Sequence, residues 1–358
     1  MIKVLIVDDL PVVQELLLYI LDSDSDIQVV GIAHNGEEAI EAVKRVKPNI
    51  ITMDIHMPKM DGFEATRKIM EISPTPIVIV SAGEGSETVA TTFKAVEAGA
   101  LAVVQRPMGI GHPDHEITAK EFVQTVKLMS EVKVVKRWAR PSEGRRAEPR
   151  QQEEPTLVVP PDVALKQLPV KIKLVAIGAS AGGPLVIQTI LSKLPKDFPV
   201  PIVIVQHMAA GFIEGFVEWL NQTSDLSIHI ATHGEQILPG HVYVSPDGFQ
   251  MKVEIGGKIL LIKDEPENGH RPSVSYLFRS VARAFGKNAV GILLTGMGKD
   301  GAEELKLMKE KGAVTIVQDK ESSLVYGMPG EAIKLDAATY LFPPDGITAA
   351  LENLVNKK

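Results

Sequence analysis

The chain of 358 residues contains no cysteine. That excludes disulfides, zinc–thiolate centres and cysteine nucleophiles together, and it suits a cytoplasmic protein. No apolar run reaches the roughly 18 residues that a membrane-spanning helix needs, so insertion into a bilayer is not expected. The opening Met1-Ile2-Lys3-Val4-Leu5-Ile6-Val7-Asp8-Asp9 is no secretion signal, because its apolar stretch is short and ends in two acids. There is no excess of positive charge. Against 45 acidic residues stand 38 basic ones, a net charge of −7, which disfavours a general nucleic-acid-binding surface. No repeat of solenoid length is visible.

What is present suits folded domains. Hydrophobic residues make up 45% and charged residues 23%, close to the globular average. At roughly 150 residues per domain, two domains and a linker are expected. Residues 1–130 alternate apolar runs (Ile2–Val7, Ile27–Ile32, Asn49–Met53, Pro76–Val80, Leu101–Val104) with amphipathic stretches. This predicts five βα units around a parallel sheet covered on both faces. Residues 131–170 carry scattered prolines and a basic cluster (Lys133, Lys136, Arg137, Arg140, Arg145, Arg146), and read as a flexible linker. A second α/β domain spans residues 171–358. Its expected strands are Ile172–Ile177, Ile202–Val205, Leu226–Ala231, Val242–Val244, Met251–Ile255, Ile259–Ile262, Ala289–Thr295 and Ala313–Val317. The fold class is therefore α/β: two doubly wound domains, the second mostly parallel, with its section from His229 to Asp264 expected to be antiparallel.

Asp8 and Asp9 end the first predicted strand and Asp54 ends the third. In a doubly wound sheet these ends gather at one edge, where ligands collect. Three crowded carboxylates invite a hard cation, and Mg²⁺ prefers oxygen ligands. Ser81 and Arg106, at the ends of the fourth and fifth strands, are candidates to bind and sense a phosphoryl group. The Val7-Asp8-Asp9 start, the loop Met53-Asp54-Ile55-His56-Met57-Pro58-Lys59-Met60-Asp61-Gly62 and the hydroxyl after strand four resemble the receiver domain of two-component response regulators. The resemblance implies a flavodoxin-like fold, phosphorylation of Asp54 by a histidine kinase, and Mg²⁺ held by Asp8, Asp9 and Asp54. Two positions depart from the receiver pattern. Arg106 stands where the pattern has lysine, and a forked guanidinium is no simple substitute for an ammonium. Val103 stands where an aromatic is frequent.

In the second domain a strand opens into Gly178-Ala179-Ser180-Ala181-Gly182-Gly183-Pro184. A serine in such a turn projects above the sheet beside free helix N-terminal N–H groups, which suits an oxyanion. The spacing is not that of a dinucleotide-binding loop. His207 follows the next strand; Asp300 follows Leu294-Thr295-Gly296-Met297-Gly298-Lys299. Asp300 is placed to accept from the His207 Nδ1–H, or else to cap the helix expected from Ala302. The order Ser, His, Asp disfavours an α/β-hydrolase. Together with Pro239-Gly240-His241-Val242-Tyr243-Val244 and Arg271-Pro272-Ser273-Val274, these motifs resemble the chemotaxis protein-glutamate methylesterases. Only Ala181 departs, where threonine is commonest.

The resemblance implies a phosphorylation-regulated esterase. Ser180 is then the nucleophile, His207 the base and Asp300 the orienting acid, with the Met297 N–H in the oxyanion site. Substrates are glutamyl methyl esters and certain glutamines of chemoreceptors. The esterase site is expected to need no cofactor, and a monomer is the default. A receiver-controlled adaptor that docks without catalysis is the alternative, and the intact Ser180, His207 and Asp300 argue against it. A DNA-binding regulator is disfavoured by the acidic charge and the absence of a helix-turn-helix-sized output.

Overall fold

A computed structural model describes residues 1–81, 93, 95–132, 134 and 171–355. The first domain is a five-stranded parallel sheet. Its strands are β1 (Ile2–Val7), β2 (Ile27–Ala33), β3 (Ile50–Met53), β4 (Ile77–Ser81) and β5 (Ala102–Gln105), in the order β2-β1-β3-β4-β5. Helices Pro11–Asp22 and His115–Ser130 cover one face, and Gly36–Val46 and Gly62–Ile72 the other. Unbroken apolar strands suit this double cover. The order reverses at β1, so Asp8, Asp9 and Asp54 emerge from neighbouring strands at one edge.

The second domain centres on seven parallel strands. These are β6 (Leu174–Ala179), β7 (Ile202–Gln206), β8 (Ser227–Ile230), β9 (His241–Val244), β12 (Ala289–Leu293), β13 (Val314–Gln318) and β14 (Tyr340–Phe342), in the order β14-β13-β12-β6-β7-β9-β8. The expectation of an antiparallel middle section holds only for β10 (Gln250–Val253) and β11 (Ile259–Ile262), which pair as a separate ribbon. β8 and β9 instead extend the main sheet in parallel. The helix Ile213–Thr223, which buries Phe216, Trp219 and Leu220, returns the chain from β7 to β8 in the same direction, and residues 231–240 carry it back across the end of the sheet to β9. The central strand β6 lies between β7 and β12, with Gly178 opposite Val205 on one side and Leu293 on the other. This switch point sets the ends of β6, β7 and β12 side by side.

The two domains touch. Phe93 of the first stacks on Trp219 of the second, with ring centroids 5.3 Å apart, and packs on Phe216. Trp219 Nε1 donates to Glu97 Oε1 at 2.8 Å. Val325 and Leu324 join the receiver-side core around Val80 and Phe122. Most of the expected linker, including its six basic residues, lies outside the described residues. Among the described residues no helix is long and apolar enough to cross a membrane.

Candidate active site

β6 delivers Ser180 to a turn that ends in the helix Gly183–Leu191. Gly182 adopts φ 80°, and a Cβ there would fall 2.6 Å from the Leu324 side chain, so both backbone and neighbour require glycine. Ser180 N–H donates to the Thr295 carbonyl at 3.0 Å. Buried Gln206, the last residue of β7, donates through Nε2 to the carbonyls of Ser180 and His207, each at 2.8 Å. It ties the serine turn to the histidine strand, a role its sequence position did not reveal.

His207 Nε2 lies 2.9 Å from Asp300 Oδ2. The sequence assigns Nδ1 to this contact, and the structure corrects it: Nδ1 is buried without a partner. β6 separates the strands that carry the two residues. No hydrogen bond joins the Ser180 hydroxyl to the imidazole among the described residues, although both line one cleft. Such bonds often tighten only with substrate present.

Asp300 does not cap the helix Ala302–Glu310. Gly301 occupies that cap position, with no side-chain bond. The Asp300 carboxylate sits instead at the start of another helix, Val274–Phe285. Oδ2 accepts from Val274 N–H at 2.6 Å; Oδ1 accepts from Ser275 N–H, Ser273 Oγ and Asn268 Nδ2 at 3.1, 2.9 and 2.9 Å. Burial alone would push this carboxyl up, but the bonds from His207, Asn268 and Ser275 outweigh it and hold it well below the usual carboxylate range.

Met297 follows the end of β12. At Gly296 a Cβ would fall 2.7 Å from the Ser180 Cβ, so this loop passes close beside the serine. Among the described residues nothing accepts from the Met297 N–H. His270 lies flat on His207 with ring centroids 3.8 Å apart. Burial, then the neighbouring His207, pushes its imidazole down to about 4. The adjoining Arg271-Pro272-Ser273-Val274 motif was its one sequence signal.

In the first domain Asp8, Asp9 and Asp54 bring one carboxylate oxygen each within 4.8 Å of one another. Asp8 Oδ2 is buried and unpartnered. Burial, then the charge of Asp8, pushes Asp54 up to about 6. Crowded, desolvated carboxylates with an orphaned oxygen fit a hard divalent cation. Arg106 reaches in from the end of β5, with its guanidinium 3.8 Å from Asp8 Oδ2 and its Nε buried without a partner. Ser81 is buried at the end of β4, and its carbonyl accepts from the Arg106 N–H at 2.8 Å. Asp8, Asp9, Asp54 and Arg106 therefore converge, with Ser81 beside them through its backbone.

A cleft of about 990 Å³ lies between the domains. Ser180, His207, Met208 and Tyr326 line one wall; Val96, Leu101, Val103 and Val132 line the other.

Comparison with known proteins matches both halves. Residues 175–351 fit the family model of the CheB methylesterase, and residues 4–118 that of the response regulator receiver domain. The protein-glutamate methylesterase/protein-glutamine glutaminase of Nitrosospira multiformis is 59% identical over 358 residues, covering all of this chain and 98% of that protein. One from Geobacter metallireducens is 56% identical over the full length of both. The crystal structure of the Thermotoga maritima CheB methylesterase catalytic domain is 38% identical with a TM-score of 0.50, covering 52% of this chain and all of that one.

Proposed function

Because the chain belongs to the CheB-type protein-glutamate methylesterase/protein-glutamine glutaminase family, with a receiver ahead of the esterase domain, we propose that Ser180, His207 and Asp300 perform its chemistry. The protein is a receiver-regulated methylesterase and glutaminase of chemotactic adaptation. Boundaries near residues 130 and 170 separate its domains, a division supported by family matches to 4–118 and 175–351.

Ser180 Oγ attacks the γ-carbonyl of a methylated glutamate, and His207 Nδ1 takes its proton. The imidazolium so formed is stabilised through Nε2–H by Asp300, whose carboxylate stays ionised. The tetrahedral oxyanion takes the unused N–H of Met297. His207 returns the proton to the methoxide oxygen, and methanol leaves. Water then attacks the acyl-enzyme, giving up a proton to His207, and glutamate and Ser180 are regenerated. With a glutamine substrate, ammonia leaves by the same route. The observation that carries this reading is the 2.9 Å contact between His207 and Asp300 at strand ends flanking Ser180.

The substrates are methyl-accepting chemoreceptors, the phosphodonor is a chemotaxis histidine kinase, and the protein acts as a cytoplasmic monomer. Asp54 is the phosphoryl acceptor. A Mg²⁺ ion held by Asp8, Asp9 and Asp54 would neutralise the carboxylates and the incoming phosphoryl group. Ser81 and Arg106 bind the phosphoryl oxygens. The receiver restrains the esterase by covering the cleft, a reading supported by its wall of receiver residues opposite Ser180.

An organophosphonate tests the assignment. It should label Ser180 and stop turnover; a folded protein with no turnover and an unlabelled Ser180 would favour the adaptor, and turnover that persists with Ser180 labelled would remove Ser180 as nucleophile.

A further inference from the structure

We propose that Asn268 is a positioning residue of the esterase reaction, whose side-chain amide fixes the Asp300 carboxylate in the orientation that serves His207. The proposal rests on the roles assigned above to Ser180, His207 and Asp300.

Asp300 is gripped from two segments besides the histidine. Residues 273–275 supply three donors, Ser273 Oγ and the N–H groups of Val274 and Ser275. Asn268 supplies the fourth, from a separate turn. That turn is closed by paired bonds between Glu267 and His270, at 3.0 and 2.9 Å. Within it Asn268 stands at φ 53°, a left-handed conformation that asparagine tolerates better than most residues.

The residue is exposed, so packing does not turn its amide inward. Both amide hydrogens are used: Nδ2 donates to Asp300 Oδ1 at 2.9 Å and to Ser275 Oγ at 3.1 Å. Ser275 Oγ in turn accepts from the Gly301 N–H at 2.9 Å. One amide therefore joins the 267–270 turn, the helix start and the Asp300 loop.

The same turn carries His270, which lies on the His207 ring. A single short segment thus holds the acid through Asn268 and covers the base through His270. Because the amide is neutral, it adds a bond to the carboxylate without adding a charge to the dyad. Loss of Asn268 leaves Oδ1 with two donors from one side, and the carboxylate is freer to turn away from Nε2.

The left-handed backbone makes the test clean. In the full chain, Asn268→Gly keeps that conformation and removes the amide, and Asn268→Asp keeps the shape but turns the donor into an acceptor facing Asp300. Loss of one bond to a charged group should lower kcat about ten- to hundredfold. KM should stay within about twofold, because the residue is not expected to touch substrate. Asn268→Asp should be slower still. The strongly shifted proton signal of the His207 Nε2–H in the folded enzyme should weaken or move upfield in both variants. Asp300→Ala serves as the reference. If it abolishes turnover while Asn268→Gly keeps full kcat or an unmoved proton signal, this inference is wrong and the triad stands. If Asp300→Ala itself keeps full turnover, the triad reading fails, and Asn268 has no carboxylate to position.

Discussion

His207 meets Asp300 through Nε2 at 2.9 Å and leaves Nδ1 buried and unpartnered. The carboxylate it meets is also held by the start of the helix Val274–Phe285 and by Asn268. Asp300 is thus held by donors other than the histidine, and Nδ1 is the nitrogen with which His207 would act as a base.

If Ser180, His207 and Asp300 act as a unit, they should lose activity as a unit. Ser180→Ala, His207→Ala and Asp300→Ala should each cost at least about a thousandfold in kcat, with double variants barely worse than single ones. Steady-state kinetics on purified, folded variants decides this, and multiplicative losses would remove the triad.

The Trp219–Glu97 hydrogen bond joins the domains beside the cleft. Glu97→Ala removes the acceptor and leaves the Trp219 ring stacked on Phe93. A bond to a carboxylate of about 1.5–3 kcal/mol implies a rise of roughly ten- to a hundredfold at most in the unphosphorylated rate. Removal of residues 1–130 should raise it further. If the isolated second half is no faster than the whole chain, steric restraint by the receiver is wrong, and activation by docking becomes the better model.

Asp54 titrates near 6 because burial, then Asp8, disfavour its charge. The folded value is raised, so between roughly pH 4 and 6 the fold holds a proton that the unfolded chain has lost. Without divalent cations, stability should therefore fall as pH rises through that window. Asp54→Asn, neutral throughout, should melt higher than the parent at pH 7.5 and no higher below pH 4. Thermal melts at both pH values in a chelator check the sign; a difference independent of pH would contradict it.

Arg106 reaches Asp8 from 3.8 Å with its Nε buried and unpartnered, an imperfect fit to the acidic pocket. A compact ammonium can sit directly on a phosphoryl oxygen. Arg106→Lys should increase the gain in esterase rate produced by a small-molecule phosphodonor, and Asp54→Ala should eliminate it. A smaller gain in Arg106→Lys would mean that the pocket is built around arginine.

Much of this was legible in the residues. Unbroken apolar strands announced parallel sheets, and acids or glycines at their ends pointed to both candidate sites. Ser180, His207 and Asp300 each follow a strand, so sheet order alone brought them near one another. What stayed hidden depends on side-chain direction and on long-range partners. Nothing in the local sequence of His207 tells which nitrogen spans β6, or that His270 lies on its ring. Turn-rich residues around β8 and β9 resembled an antiparallel ribbon, because the ten residues that join them carry no helix to signal a parallel crossover. The strand Tyr340–Phe342 has only three residues, none fully buried, and carries too little pattern to read.

The central claim is that one chain couples a phosphorylated Asp54 to ester hydrolysis at Ser180. Methanol release from methylated chemoreceptor by the full-length protein, with Mg²⁺ and with or without a phosphodonor, tests it most directly. Release should be slow without the phosphodonor, faster with it, unresponsive in Asp54→Ala and absent in Ser180→Ala. Equal release with and without phosphodonor by a chain shown to be phosphorylated, or undiminished release by Ser180→Ala, would contradict it.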